Sequence, residues 1–127
     1  MPYGVISNRH GKGALPGEFP LEGEVFSAFA GVDETGTRGL LPLAPGEEPL
    51  VSFPLAPFLG IIGVAVTGDL RPRSVPPGPH GGNIDINLLT VGSTLYLPVQ
   101  VDDAMVYVGD PHFAQGDAEV ALTAMEA

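Results

Sequence analysis

Apolar positions along this chain come in short runs, each stopped within a few residues by Gly, Pro or a charged pair. Such runs predict strands and turns rather than long helices. Residues 1–20 read as loop, and Glu24–Ala30 as a short strand. Asp33–Gly39 (DETGTRG) and Pro45–Glu48 read as polar turns. Leu50–Leu55 and Gly60–Thr67 are the next strands. The second of these, GIIGVAVT, is apolar and β-branched, as expected where both faces are buried. Thr94–Val101 alternates with period two, and Pro98 places it at an edge or a bulge. Asp102-Asp103 then reads as a turn into Ala104–Val108, which predicts a hairpin. Glu119–Met125 stays ambiguous: its alternation favours strand, and its Ala, Leu, Met and Glu favour helix. No internal repeat is present.

Composition sharpens this picture. The 127 residues suffice for one domain, 1–127, with a modest core. Gly 18 and Pro 14 make up about a quarter of the chain, and hydrophobic content of 44% argues against disorder. The expected fold is mainly β, in sandwich or barrel-like layers of short strands with little helix. Arg71–Gly82 (RPRSVPPGPHGG) is the strongest linker-like segment. It reads as an internal boundary or as a long ordered loop carrying part of a site, and the polar groups that follow favour the loop. Pro49–Gly68 is uncharged over twenty residues, but Pro54, Pro57, Gly60 and Gly63 interrupt it, so buried strand is expected in place of a membrane span.

Formal charge is −10, and all five cations (Arg9, Lys12, Arg38, Arg71, Arg73) lie before residue 74. The remaining stretch carries seven acids and no Lys or Arg. Nucleic acid is therefore excluded as an expected partner, for want of a basic footprint. Anionic membrane surfaces are excluded on the same ground. The lack of cysteine rules out disulfides and thiolate metal sites and fits a reducing compartment. Met1–Gly13 has no signal-peptide core, so a cytoplasmic location is expected.

Gly109–Glu119 (GDPHFAQGDAE) concentrates the chemistry. It holds Asp110, His112, Gln115, Asp117 and Glu119, with no cation among them. Acceptors packed this closely repel unless something positive joins them, and a divalent metal is the simplest candidate. Asp110 and His112 are two apart, as are Asp117 and Glu119, and in extended chain such pairs share a face. The segment can thus aim four ligand-type groups at one point. Each has a plainer reading: His112 as a structural histidine, the acids as a solvated loop, Gln115 as a turn residue.

Several blocks, in order, resemble the acetamidase/formamidase family. They are Gly81-Gly82-Asn83-Ile84-Asp85, then Leu89–Val99 (LTVGSTLYLPV), then Gly109-Asp110, His112, Ala114-Gln115-Gly116-Asp117 and Glu119, ending in Thr123-Ala124-Met125-Glu126. Pro57–Ala65 is similar to an earlier block of that family. The resemblance is strong from about Pro57 onward and thin before. Family chains are considerably longer, and this one looks like their middle portion. Where the family has Gly between the Asp and Glu of its Gln-Gly-Asp-Gly-Glu block, this chain has Ala118, whose Cβ disfavours positive φ.

The resemblance implies a mainly β hydrolase that splits short aliphatic amides into a carboxylate and ammonia, with metal rather than Cys or Ser doing the chemistry. The sequence agrees, having no Cys and no Gly-x-Ser-x-Gly elbow. Asp85, Asp110, His112 and Asp117 are the expected ligands of a divalent metal, zinc before calcium. Glu119 is the expected proton carrier, Gln115 an oxyanion donor, and Asn83 a partner for a carboxylate or the substrate amide. Glu126, in the Thr-Ala-x-Glu position, is expected near the site or in a frayed end, and His80 is read as a lid contact or simply exposed. Phe58, Ile61 and Tyr96 are expected to wall the acyl pocket. Asp102 and Asp103 read as turn only, and Arg71 and Arg73 as surface partners for the acids. The expected partners are a small amide and either further copies of the chain or a second chain carrying the missing family segments. The alternative is a non-catalytic metal-binding β module or an inactive fragment.

Overall fold

The computed structural model describes residues 2–7, 27–42, 44, 46–69, 71–73 and 75–127. Eight strands are present: β1 (Tyr3–Ser7), β2 (Ser27–Val32), β3 (Arg38–Leu41), β4 (Val51–Pro54), β5 (Phe58–Gly63), β6 (Gly81–Asn83), β7 (Tyr107–Gln115) and β8 (Ala124–Glu126). They form one sheet in the order β4-β3-β2-β1-β8-β7-β5-β6, and every pairing is antiparallel. The chain is mainly β, as its punctuation predicts. Among the described residues the one helical element is a single 3-10 turn at Asp117–Glu119. No described helix is long and apolar enough to cross a membrane.

The last strand holds the sheet together. β8 sits between β1 and β7, so the C-terminal residues join the two halves of the sheet. Ala30, Val32 and Met125 form the buried cluster, with Ile6, Leu41, Phe53, Leu55, Phe113 and Ala114 packed around it. Met125 fits because Gly4 faces it: a Cβ on Gly4 would fall 2.8 Å from Met125 Cγ. Thr123 donates its hydroxyl to the Ser7 carbonyl at 2.9 Å and fixes the approach to β8.

Turn chemistry explains the β2–β3 hairpin. Asp33 accepts from Thr35 Oγ1 at 2.7 Å and from the backbone N–H groups of Thr37 and Arg38 at 2.8 and 2.9 Å. These bonds, led by that of Thr35, hold its carboxyl below the usual carboxylate range.

Several expectations need correction. Tyr3–Ser7 is a strand, not loop, because it finds partners on both sides in β2 and β8. The loop expectation for 8–20 and the start of the Glu24–Ala30 strand at 24–26 lie outside the described residues. β5 ends at Gly63, and Val64–Val66 leave the ladder. Thr94–Val101 forms no strand, since its alternating side chains have no neighbouring ladder and Tyr96 is exposed. Asp102-Asp103 do make a turn, with Ala104 N–H donating to the Val101 carbonyl. No hairpin follows it: Ala104 and Met105 have φ of 56° and 50°, which break a strand. Glu119–Met125 resolves into the end of the 3-10 turn followed by β8. The 71–82 segment ends in β6, which pairs with β5 in the same sheet.

Candidate metal and catalytic site

Three strands build the site. β7 places Asp110 and His112 two residues apart. Across the ladder, His112 is paired with Glu126 of β8 on one side and Phe58 of β5 on the other. Paired residues present their side chains on a common face. The Pro111 carbonyl accepts from the Ala127 N–H at 2.9 Å where β8 stops. Phe58 packs edge-on against His112, with ring centroids 5.3 Å apart.

Asp85 enters from the loop after β6. The backbone N–H groups of Ile84 and Asp85 both donate to the Gly60 carbonyl, at 3.0 and 3.1 Å. Gly60 must lack a side chain: its Cβ would lie 2.5 Å from Asp85 Oδ1 and 3.0 Å from Asp110 Oδ2. Asn83 Nδ2 donates to Asp85 Oδ2 at 2.7 Å. Asp85 Oδ1 is buried with no hydrogen-bond partner.

The tautomer of His112 follows from Gln115. The Gln115 amide nitrogen donates to the Asp85 carbonyl at 2.7 Å, so its oxygen faces His112 Nδ1 at 2.8 Å. A carbonyl oxygen cannot donate, so Nδ1 carries the proton. In neutral His112 the Nε2 lone pair then points at Glu126 Oε2 (3.2 Å) and Asp110 Oδ1 (3.4 Å). Lone pairs facing one another at these distances repel unless a positive charge lies between them. His112 is 1% exposed, whereas the side chains of Asp110 and Glu126 are 32% and 44% exposed. The cluster is therefore closed behind the imidazole and open beyond the carboxylates.

Two groups here could hold a metal ion: Asp85, Asp110 and His112, and His112, Glu119 and Glu126. Within each, the ligand atoms lie within 4.8 Å of one another. The donor set of one imidazole nitrogen and several carboxylate oxygens suits a divalent cation, and the orphaned Asp85 oxygen supplies an unsatisfied ligand.

Crowding also changes proton affinities. Burial, then the charge of Asp85, then those of Glu126 and Asp110, push Glu119 up to about 7 against the pull of His112. Asp85 is raised as well, chiefly by burial and next by Asp110, while His112 and the Asn83 hydrogen bond oppose the rise. Among the described residues the ion pairs within 4.0 Å all involve His112. Arg71 and Arg73 pair with none of these acids.

Asp85, Asp110, His112, Gln115, Glu119, Glu126 and Asn83 thus converge. Asp117 stands apart: it is exposed and accepts from Asn87 Nδ2 at 3.1 Å. The 3-10 turn breaks the extended geometry that would have kept it in phase with Glu119. Gln115 orients His112 through its amide oxygen, and one amide N–H is spent on the Asp85 carbonyl, which leaves its second N–H as the oxyanion donor expected of it. His80 is not exposed. It is buried beside a separate cavity, because the Gly78–Gly81 bridge folds it inward. Phe58 does wall a cleft of about 600 Å³ that borders His112, but Ile61 lines the other cavity and Tyr96 is 89% exposed.

Asn87 and Gly60 are the residues that sequence reading missed. Asn87 also donates to the Gln115 carbonyl at 3.2 Å and so clamps the end of β7. Its spacing of two from Asp85 was the available signal. For Gly60 the signal was a glycine inside a strand, which marks close approach.

Residues 70–127 match the Acetamidase/Formamidase family. A formamidase of Methylophilus methylotrophus is 56% identical over 50 residues, covering 39% of this chain and 12% of that protein. An acetamidase of Mycolicibacterium smegmatis is 40% identical over 91 residues, covering 65% of this chain and 22% of that protein. The crystal structure of an acetamidase from Bacillus halodurans superposes with a TM-score of 0.79 at 32% identity, over 99% of this chain and 39% of that one. The chain spans well under half the length of each of these relatives. Residues 70–127 are thus similar to the acetamidase/formamidase family, and the fold is shared with part of a longer acetamidase.

Proposed function

We propose that this chain is part of a metal-dependent hydrolase of short aliphatic amides of the formamide and acetamide type. The reaction adds water across the amide C–N bond and releases a carboxylate and ammonia. The observation that carries the reading is His112 Nε2 facing Asp110 and Glu126, beside the orphaned oxygen of Asp85. The names of the relatives supply the amide.

His112 would hold the cation with Asp110 and Asp85 or with carboxylates from the Glu119 and Glu126 side, and the nitrogen ligand would favour zinc over calcium. When bound, a divalent cation supplies Lewis acidity toward a water and an amide carbonyl. Gln115 fixes the imidazole so that Nε2 faces the cluster, and Asn83 turns Asp85 the same way. Glu119, with a proton affinity near neutrality, takes the proton from the attacking water and returns it to the departing nitrogen. Phe58 and the apolar cleft beside it receive the short acyl group. Asp117, held off by Asn87, is a structural acid here rather than a ligand.

The active form is an assembly, either a homo-oligomer or a complex with a second chain that brings further family segments. Two features support this. Among the described residues the sheet ends in the edge strands β4 and β6, and Leu88, Val91, Tyr96 and Val99 are exposed. The absence of cysteine fits a cytoplasmic setting. A second reading, a metal-binding β module without catalysis, is favoured by the small share of its relatives that the chain spans.

Formamide and acetamide hydrolysis, measured on the purified assembly with and without chelator, tests the proposal. Turnover that stops on chelation and returns with zinc supports it. Chelator-insensitive turnover contradicts the metal role, and cation binding without turnover favours the module.

A further inference from the structure

A second cavity, of about 250 Å³, lies apart from the His112 centre and is lined in part by Arg73, His80 and Tyr107. β5 and β7 pair Phe58 with His112 at one end and Gly63 with Tyr107 at the other. Five residues of strand separate the two levels, roughly 16 Å. Ile61 lines this cavity and Ile62 the cleft beside His112, and successive strand residues face opposite sides of a sheet.

The polar groups of the cavity are held by glycines. Gly78 and Gly81 exchange backbone hydrogen bonds of 2.9 Å in both directions, which closes the Pro79-His80 turn. The ring of His80 lies over this turn, where a Cβ on Gly78 would come within 2.9 Å of Nδ1 and one on Gly82 within 3.2 Å of Nε2. His80 is 8% exposed, and its ring nitrogens have no hydrogen-bond partner among the described residues. The Tyr107 hydroxyl lies over Gly63, in space that any side chain there would fill. Arg73 makes no ion pair among the described residues.

We propose that this cavity is a second binding site, for a small aliphatic monocarboxylate. Arg73 supplies the fixed positive charge, and His80 and Tyr107 supply further donors. Among the described residues no Asp or Glu lines the cavity, in a chain of net charge −10. Ile61, Val64 and Val66 form an apolar wall for a short alkyl tail. The volume is below the roughly 300–1,000 Å³ of sites for larger ligands, so a few heavy atoms fill it. A dianion is disfavoured, with one guanidinium set against the negative charge of the chain. The site does not depend on the amidase reading, although the acids that reaction releases belong to this class.

The test is an acetate titration of the protein followed by NMR of the His80 ring and the Tyr107 ring, with acetamide and inorganic phosphate as comparison ligands. Acetate should shift both rings saturably, and acetamide should not. Arg73→Gln, at an exposed position, should weaken binding at least tenfold with an unchanged thermal midpoint, and Tyr107→Phe should weaken it less. Asp110→Asn, which disables the His112 centre, should leave the acetate shifts at His80 in place. Equal acetate affinity in Arg73→Gln, shifts confined to His112, or phosphate binding as tightly as acetate would overturn the proposal.

Discussion

His112 and Gln115 are joined side chain to side chain, Nδ1 to Oε1 at 2.8 Å, and the other end of the Gln115 amide is tied to the Asp85 carbonyl at 2.7 Å. One glutamine therefore fixes the tautomer of the buried histidine and its distance from the Asp85 loop. Gln115→Ala should lower zinc affinity about 10–100-fold, the usual loss when the partner of a ligating histidine is removed. A competition titration with a chromophoric chelator measures this. Unchanged affinity would show that Gln115 does not orient the ligand.

Gly60 leaves the gap in which Asp85 and Asp110 approach each other. Gly60→Ala should push the two carboxylates apart, cost roughly 1–3 kcal/mol in folding stability through overpacking, and weaken zinc binding as well. Urea denaturation and the same competition titration report the two effects. A variant with normal stability and normal affinity would refute the close approach.

Crowded acids make stability depend on pH with a definite sign. Glu119 is raised from 4.5 to about 7, so the folded chain keeps a proton that the unfolded chain releases. The folded state binds more protons between those values, and stability must fall as pH rises through that window. The raised Asp85 acts in the same direction. In chelator, the thermal midpoint of the native chain relative to that of Glu119→Gln should fall between pH 4.5 and 7. A difference that rises with pH would contradict the burial of Glu119. Zinc should stabilise more at pH 7.5 than at pH 5, because it replaces the protons.

Ala118 adopts φ +57°, ψ 12° inside the 3-10 turn. A Cβ in that region is costly, and glycine occupies it freely. Ala118→Gly should therefore raise stability by about 0.5–1 kcal/mol, the strain relieved exceeding the added chain entropy. Chemical denaturation measures it. A loss of stability would mean that the turn has relaxed to negative φ.

Much of the site can be read from the chain, and the reasons for the remainder are local. Asp110 and His112 share a face because they are two apart in extended chain, and β7 is extended there. Asp117 breaks the same rule because the backbone leaves extended geometry in the 3-10 turn that begins there. Glu126 reads ambiguously from sequence, since its placement comes from the register in which β8 pairs with β7, which sets it opposite His112. The mainly β character follows from the frequent Gly and Pro. The missed strand Tyr3–Ser7 and the false strand Thr94–Val101 have one cause: a strand is defined by its neighbours, and alternation in one segment does not reveal them. The left-handed residues Ala104 and Met105 are equally silent in sequence, being neither Gly nor Asn.

The central claim is that one divalent cation relieves the repulsion around His112. Anomalous diffraction at the zinc edge, from crystals grown with zinc, tests it most directly. The account predicts one strong peak per chain, within bonding distance of His112 Nε2 and of oxygens from Asp110 and Asp85 or Glu126, and lost in His112→Ala. No peak at that position, or a peak that survives removal of the imidazole, would contradict it.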